Sequence, residues 1–392
     1  MKNEHLNSRV IPYGRQTITE ADIEAVVSVL TSDYLTQGPA IAAFEKKFAE
    51  YTGAKYAVAV SNGTAALHLC TLALNVNEHT RVITTPITFA ASANCVRYCG
   101  GEVHFADIDP ETFLLDIHKV RTLLENHPKG YFQGIIPVDF AGNAVDLEAF
   151  RKLADEFGCW IIEDACHAPG GYFTDSKGRQ QNCGNGNFAD LAIFSFHPVK
   201  HIATGEGGMI TTNDESLYKK LLLLRTHGIT KNSASFKNSE EEVAQGGWYY
   251  EMQELGYNYR LTDFQAALGI SQMDRADKNL QRRKAIAKRY DEALKNSSII
   301  TPLSIGGHAY HLYVIRTENR LKMYEYLHSH NIFAQVHYVP VHLMPYYKKF
   351  GLKKGDFPNA ESYYEKCLSI PMFHSLSEEE QEYVIHCILN FK

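Results

Sequence analysis

Short apolar runs, each ending in a small polar turn, recur through the first half of this chain. They fall at 56–60, 82–84, 103–106, 134–138, 159–162, 191–196 and 208–211, which predicts about seven short strands. Several are apolar without alternation, as in strands covered on both faces. Stretches with helical spacing of apolar residues lie between them, at 65–74, 117–125 and 147–157. Such alternation restricts the chain to an α/β fold, a mostly parallel sheet with helices on both sides. Open sheets of this kind bind ligands beyond the carboxyl ends of their strands.

Three of those strand ends carry chemistry. Ser61-Asn62-Gly63-Thr64-Ala65-Ala66 joins a strand to a helix. The free N–H groups and the dipole of a helix start favour a phosphate there. The turn is neither a Walker loop nor a dinucleotide fingerprint. Glu163-Asp164 ends the run 159–162. Ser195 lies near the end of the run 191–196, Pro198 breaks it, and Lys200 follows, trailed by Gly205, Gly207 and Gly208.

A lysine in such a loop is either a solvated cation or a nucleophile, and the other two strand ends favour the second. A deprotonated lysine forms an imine with an aldehyde cofactor. Pyridoxal 5′-phosphate requires that lysine, an anion cradle, a carboxylate on its pyridine nitrogen and a flat wall beside its ring. Lys200 can be the imine lysine, and the 63–65 turn with Ser195 can hold phosphate. Asp164 can pair with the ring nitrogen, and Phe89 or His167 can face the ring. Each has a plainer alternative. Asp164 could cap the next turn and leave Glu163 as the acid. Ser195 could bond only backbone, Phe89 could be core, and His167 could be structural.

Composition excludes other classes. The net charge is −6 with no basic block, against a nucleic-acid partner. None of the eight cysteines forms a C-x-x-C pair, which fits reduced thiols and a cytoplasmic protein. His197, His201, His337 and His342 sit in scattered segments, so no metal is expected. Residues 1–9 are polar, without the apolar core of a signal peptide, and no membrane span is expected.

The remaining chain predicts an irregular arm over 1–16 and helices at 19–31, 41–51 and 263–273. The glycine-rich stretch 170–188 lacks a pattern, and 230–250 reads as a polar loop carrying Tyr249. The charged stretch 274–295 reads as a long solvated helix between domains. Beyond it come strands at 310–315 and 332–336, an extended piece at 368–372, and helices at 320–330, 358–366 and 376–389. The expected division is 1–275, a large cofactor-binding domain, and 276–392, a linker helix and a small C-terminal α/β domain.

Four motifs together resemble the DegT/DnrJ/EryC1/StrS aminotransferases, which use the aspartate-aminotransferase fold (fold type I of pyridoxal-phosphate enzymes). They are Ser61-Asn62-Gly63-Thr64-Ala65-Ala66-Leu67, Glu163-Asp164-Ala165-Cys166-His167, Ser195-Phe196-His197-Pro198-Val199-Lys200 and Thr204-Gly205-Glu206-Gly207-Gly208. The resemblance runs from about residue 10 to the C-terminus. It implies Lys200 as the cofactor-linked lysine, Asp164 as partner of the ring nitrogen, and Thr64, Ala65 and Ser195 as phosphate ligands around Gly63. It implies Phe89 stacked on the ring and His167 at the cofactor's O3′ side. Asn258, in Gly-Tyr-Asn-Tyr-Arg, would reach the phosphate of a neighbouring subunit, which implies a homodimer with shared active sites.

Within the family, Val336-His337-Tyr338-Val339-Pro340-Val341-His342 and Pro345-Tyr346-Tyr347 look most like one branch. That branch moves the amino group of L-glutamate to C4 of UDP-4-keto-6-deoxy-N-acetyl-β-L-altrosamine, on the route to pseudaminic acid. Other branches act on dTDP- or GDP-linked keto-deoxy sugars with the same catalytic residues. Arg225, Tyr249, His311 and His337 are the expected contacts of the nucleotide-linked sugar. A related dehydratase chemistry replaces the lysine with histidine, and Lys200 in register argues against it. A non-enzymatic cofactor-binding relative would be expected to lose the lysine or the acid, and both are present.

Overall fold

The computed structural model describes residues 10–238, 246–303 and 306–391. At its centre is a seven-stranded sheet of Tyr56–Val60, Arg81–Thr84, Glu102–Phe105, Gly134–Ile136, Trp160–Asp164, Leu191–Ser195 and Gly208–Thr212. From edge to edge the order is 56–60, 208–212, 191–195, 160–164, 134–136, 81–84, 102–105. Every neighbouring pair is parallel except those made by 208–212, which is antiparallel to both its neighbours.

Alternate residues of these strands enter two different cores. Val58, Val60 and Ile193 pack with Leu69 and Leu221 on one face. Ala57, Ala59 and Phe194 pack with Phe44 and Phe48 on the other. Burial on both faces is why the strand sequences do not alternate.

The C-terminal part builds its own core around Tyr290, Tyr313, Leu327 and Ile385. Tyr313–Arg316 pairs antiparallel with Cys367–Ile370, and helices Arg320–Ser329 and Glu378–Asn390 flank it. Ser377 caps the last helix, its Oγ accepting from the N–H of Glu380 at 3.1 Å. Among the described residues no helix is long and apolar enough to cross a membrane.

Several expectations change. The arm is not wholly irregular: Ile11–Pro12 pairs parallel with Ile332–Phe333, and the N–H of Met372 donates to the carbonyl of Tyr13. Long-range pairing of so short a strand leaves no local signal. The 170–188 stretch contains a hairpin, Tyr172–Thr174 with Gln180–Asn182. The charged helix runs Ala276–Leu294 and is solvated on one face only. Leu280, Arg283, Ala287, Tyr290 and Leu294 are buried at helical spacing. Arg283 is fully buried and donates to the carbonyls of Tyr310 and Met372 at 3.1 and 2.9 Å. In the C-terminal part the strands are shorter than their apolar runs, at Tyr313–Arg316 and Ile332–Phe333. Part of the 230–250 loop, 239–245, lies outside the described residues.

Candidate active site

The carboxyl ends of strands 56–60, 160–164 and 191–195 open into one cavity of about 950 Å³. Segments 335–339, His311 and Tyr13 close its other side. A helix, Gly63–Ala73, starts at its floor, capped by Asn62, whose Oδ1 accepts from the N–H of Ala65 at 2.8 Å. The first-turn N–H groups of Gly63 and Thr64 have no partner within the helix, and both residues line the cavity.

The helix start is approached closely. A Cβ on Gly63 would stand 3.1 Å from Ser195 Cβ, and one on Gly208 would stand 2.6 Å from the carbonyl of Asn62. Among the described residues Ser195 Oγ, beside this turn, accepts only a long bond of 3.4 Å from the N–H of His197. A small tetrahedral anion suits this cradle of free donors at a helix start.

Glu163 and Asp164 part company here, because successive strand residues face opposite sides. Asp164 lines the cavity and is 5% exposed. Its Oδ2 accepts from Ser92 Oγ at 2.6 Å, and its Oδ1 from the N–H of Cys166 at 3.2 Å. Glu163 lies behind the strand, where it accepts from the N–H of Gly184 at 2.9 Å. There it faces Asp139, with Cys183 beside them, in a buried group whose ligand-type atoms lie within 4.8 Å of one another. Burial and the Asp139 carboxyl together push Glu163 well above the usual carboxylate range. Asp164 is therefore the carboxylate offered to a ligand.

Lys200 follows a turn in which its N–H donates to the carbonyl of His197 at 2.8 Å. Its Nζ lies in the cavity, 3.4 Å from His311 Nε2. Burial lowers its proton affinity, while Cys166 and Asp164 act in the opposite sense. Burial, and then the Lys200 charge, hold His311 and His167 well below the ordinary histidine range, so both rings are neutral. His337 is brought down to about 3 by the same two causes, and its Nδ1 meets Ser369 Oγ at 2.8 Å. Phe89 is 62% exposed and lines the cavity, so it is a wall residue and not core.

The cavity thus gathers Gly63, Thr64, Ala65, Phe89, Asp164, His167, Ser195, Lys200, His311 and His337. Three expected residues lie elsewhere. Arg225 donates from Nη1 to Glu45 and to the carbonyl of Ala59, which commits the guanidinium to the sheet edge, outside the cavity. Tyr249 donates to Glu251 and accepts from Asn238 Nδ2 at 2.8 Å, within its own loop. Asn258 bridges Thr226 through backbone and does not line this chain's cavity. Sequence reasoning missed Ser92. Ser92 stands four residues after Thr88, and its hydroxyl meets that of Thr88 at 2.7 Å, but a serine at helical spacing is too common to notice.

The free helix start, the close glycines, the buried lysine and the cavity-facing carboxylate suit pyridoxal 5′-phosphate. Comparison with known proteins agrees. The model of the DegT/DnrJ/EryC1/StrS aminotransferase family matches residues 16–389. The chain belongs to that family. Spore coat polysaccharide biosynthesis protein SpsC of Bacillus subtilis is 39% identical over 389 residues, 96% of each chain. The UDP-4-amino-4,6-dideoxy-N-acetyl-beta-L-altrosamine transaminase of Campylobacter jejuni is 36% identical over 385 residues, again 96% of each. The PLP-form structure of a Streptococcus pneumoniae sugar aminotransferase superposes with a TM-score of 0.86. It is 30% identical and covers 97% of this chain and 98% of its own. As a DegT/DnrJ/EryC1/StrS member the protein is a pyridoxal-phosphate-dependent aminotransferase, and its mostly parallel sheet is that of the family.

Proposed function

We propose that this aminotransferase moves the amino group of L-glutamate to C4 of UDP-4-keto-6-deoxy-N-acetyl-β-L-altrosamine. It would do so in the cytoplasm as a homodimer. The observation that carries the chemistry is the buried Lys200 facing Asp164 in one cavity with a free helix start. The substrate rests on the 336–347 motif and on likeness to the Campylobacter transaminase. Residues 1–275 would hold the cofactor and 276–392 would close over the sugar.

When bound, pyridoxal 5′-phosphate supplies an electron sink for the pair left by a breaking C–H bond. Lys200 is the residue that moves protons. Burial favours its neutral form, so Nζ can take a proton from Cα of the amino acid and later deliver one to C4 of the sugar. The neutral His311, 3.4 Å away, orients Nζ without competing for charge. Asp164, fixed by Ser92 and the N–H of Cys166, keeps a proton on the ring nitrogen. Gly63, Thr64 and Ser195 would hold the phosphate, Ala65, whose N–H is taken by Asn62, would line its cradle, and Phe89 would cover the ring. Asn258, which does not line its own chain's cavity, would serve the partner subunit's phosphate.

The test has two arms. Borohydride reduction followed by peptide mapping should label Lys200. Amino-loaded enzyme should then react with the UDP-linked altrosamine-type 4-keto sugar and not with dTDP- or GDP-linked 4-keto-6-deoxy sugars. Reaction only with a dTDP or GDP sugar would keep the chemistry and overturn the substrate.

A further inference from the structure

The hydrogen bonds around His167 assign each of its protons. The backbone N–H of Ala141 points at Nδ1 at 3.2 Å. A backbone N–H can only donate, so Nδ1 carries no proton. In the neutral ring the proton is therefore on Nε2, which lies 3.2 Å from the hydroxyl of Tyr338. His167 donates and Tyr338 accepts. Both ring nitrogens of His167 are thus committed to protein partners, and none is left for a ligand.

The hydroxyl of Tyr338 has its own hydrogen still to give. Among the described residues no protein acceptor takes it, and Tyr338 lines the cavity with Lys200 and Asp164. Its ring is held in place, with Phe140 at 6.2 Å and Phe89, the wall residue, at 6.3 Å between centroids. Burial, with Tyr13, Asp164 and Cys166 nearby, pushes its ionisation far above the usual tyrosine range, so it stays a donor.

We propose that Tyr338 is the residue that donates a hydrogen bond to the phenolic oxygen of the bound cofactor. His167 then acts one step back, as the positioning residue that aims the hydroxyl. The inference rests on the cofactor reading above, in which Lys200 is its point of attachment. The direct contact expected of His167 is replaced by a relay from Ala141 through His167 to Tyr338. A glutamine at 167 could do the same, accepting through its carbonyl and donating through its amide.

The experiment strips and reloads the holoenzyme with pyridoxal 5′-phosphate and reads the absorbance band and dissociation constant. Tyr338→Phe should weaken cofactor binding about tenfold, as for loss of a bond to a charged oxygen, and shift the band. His167→Leu should give part of that shift, and His167→Gln should keep the parent spectrum, which a merely space-filling role would not require. A Tyr338→Phe protein with parent spectrum and affinity would overturn the proposal, including where only its KM for the sugar changed. So would a His167→Gln band displaced as far as that of Tyr338→Phe. Borohydride trapping at Lys200 in the parent checks the underlying reading separately. Trapping at another residue would overturn both.

Discussion

The strand Trp160–Asp164 turns one carboxyl group to each side of the sheet. On one side Asp164 meets an open cavity that it shares with Lys200, and a serine hydroxyl. On the other Glu163 meets Asp139 and Cys183 in a closed, buried group. The two residues are adjacent and chemically alike. What separates them is the company each keeps. Asp164 accepts from Ser92 and the N–H of Cys166 at the cavity wall, whereas Glu163 faces a second carboxyl that opposes its charge. A carboxyl open to a ligand and a carboxyl held among buried groups can therefore sit one residue apart.

The sharpest way to break this contrast is on the cavity side. Lys200→Ala should lower turnover about a thousandfold or more, since it removes the group that moves protons. A variant with near-parental kcat in single-turnover assays would show that another base does the work. Asp164→Asn should cost about a hundredfold in kcat, by analogy with losing one preorganised electrostatic partner. Its KM for glutamate should move less than its kcat.

The closed side should respond in stability and not in turnover. Burial, with the Asp164 charge adding to it, raises Asp139 from 3.8 to about 6 against the hydrogen bonds it receives. The folded protein then binds more protons than the unfolded chain across that window, so stability falls as pH rises through it. Glu163, raised well above the usual carboxylate range by burial and Asp139, adds to this dependence, so the melting temperature of Glu163→Gln should fall less steeply as pH rises above that range. A slope as steep as the parent's would show that the dependence arises elsewhere. Asp22 supplies the opposite sign. Burial works against its charge, but Arg275, the N–H of Thr19 and Ser271 outweigh it and bring Asp22 down to about 2. Its contribution is present above the ordinary carboxylate range and is lost as pH falls toward 2.

The smallest effect sharpens the boundary of the site. Arg225→Ala should leave KM for the sugar unchanged while costing about 2 kcal/mol of stability, as for hydrogen bonds to a charged group. A clear rise in KM with an unchanged melting curve would return Arg225 to the substrate.

The amino-acid sequence by itself determined the strand-and-helix alternation, the strand-end positions of 63–65, 164, 195 and 200, and through them the cofactor class. These were legible because their signals are local. An apolar run covered on both faces, a helix start and a lysine after a strand each write themselves within a few residues. The closing of the cavity by Tyr13 was decided only in three dimensions, because Tyr13 lies at the opposite end of the chain from His311 and 335–339. Tertiary contact also decided that Arg225 would be spent on Glu45, that Ser92 would hold Asp164, and that Arg283 would be buried in a helix full of charges. The physical reason is the same in each case. A polar side chain is committed by whichever partner the fold brings within about 3 Å, and that partner leaves no trace in the neighbouring sequence.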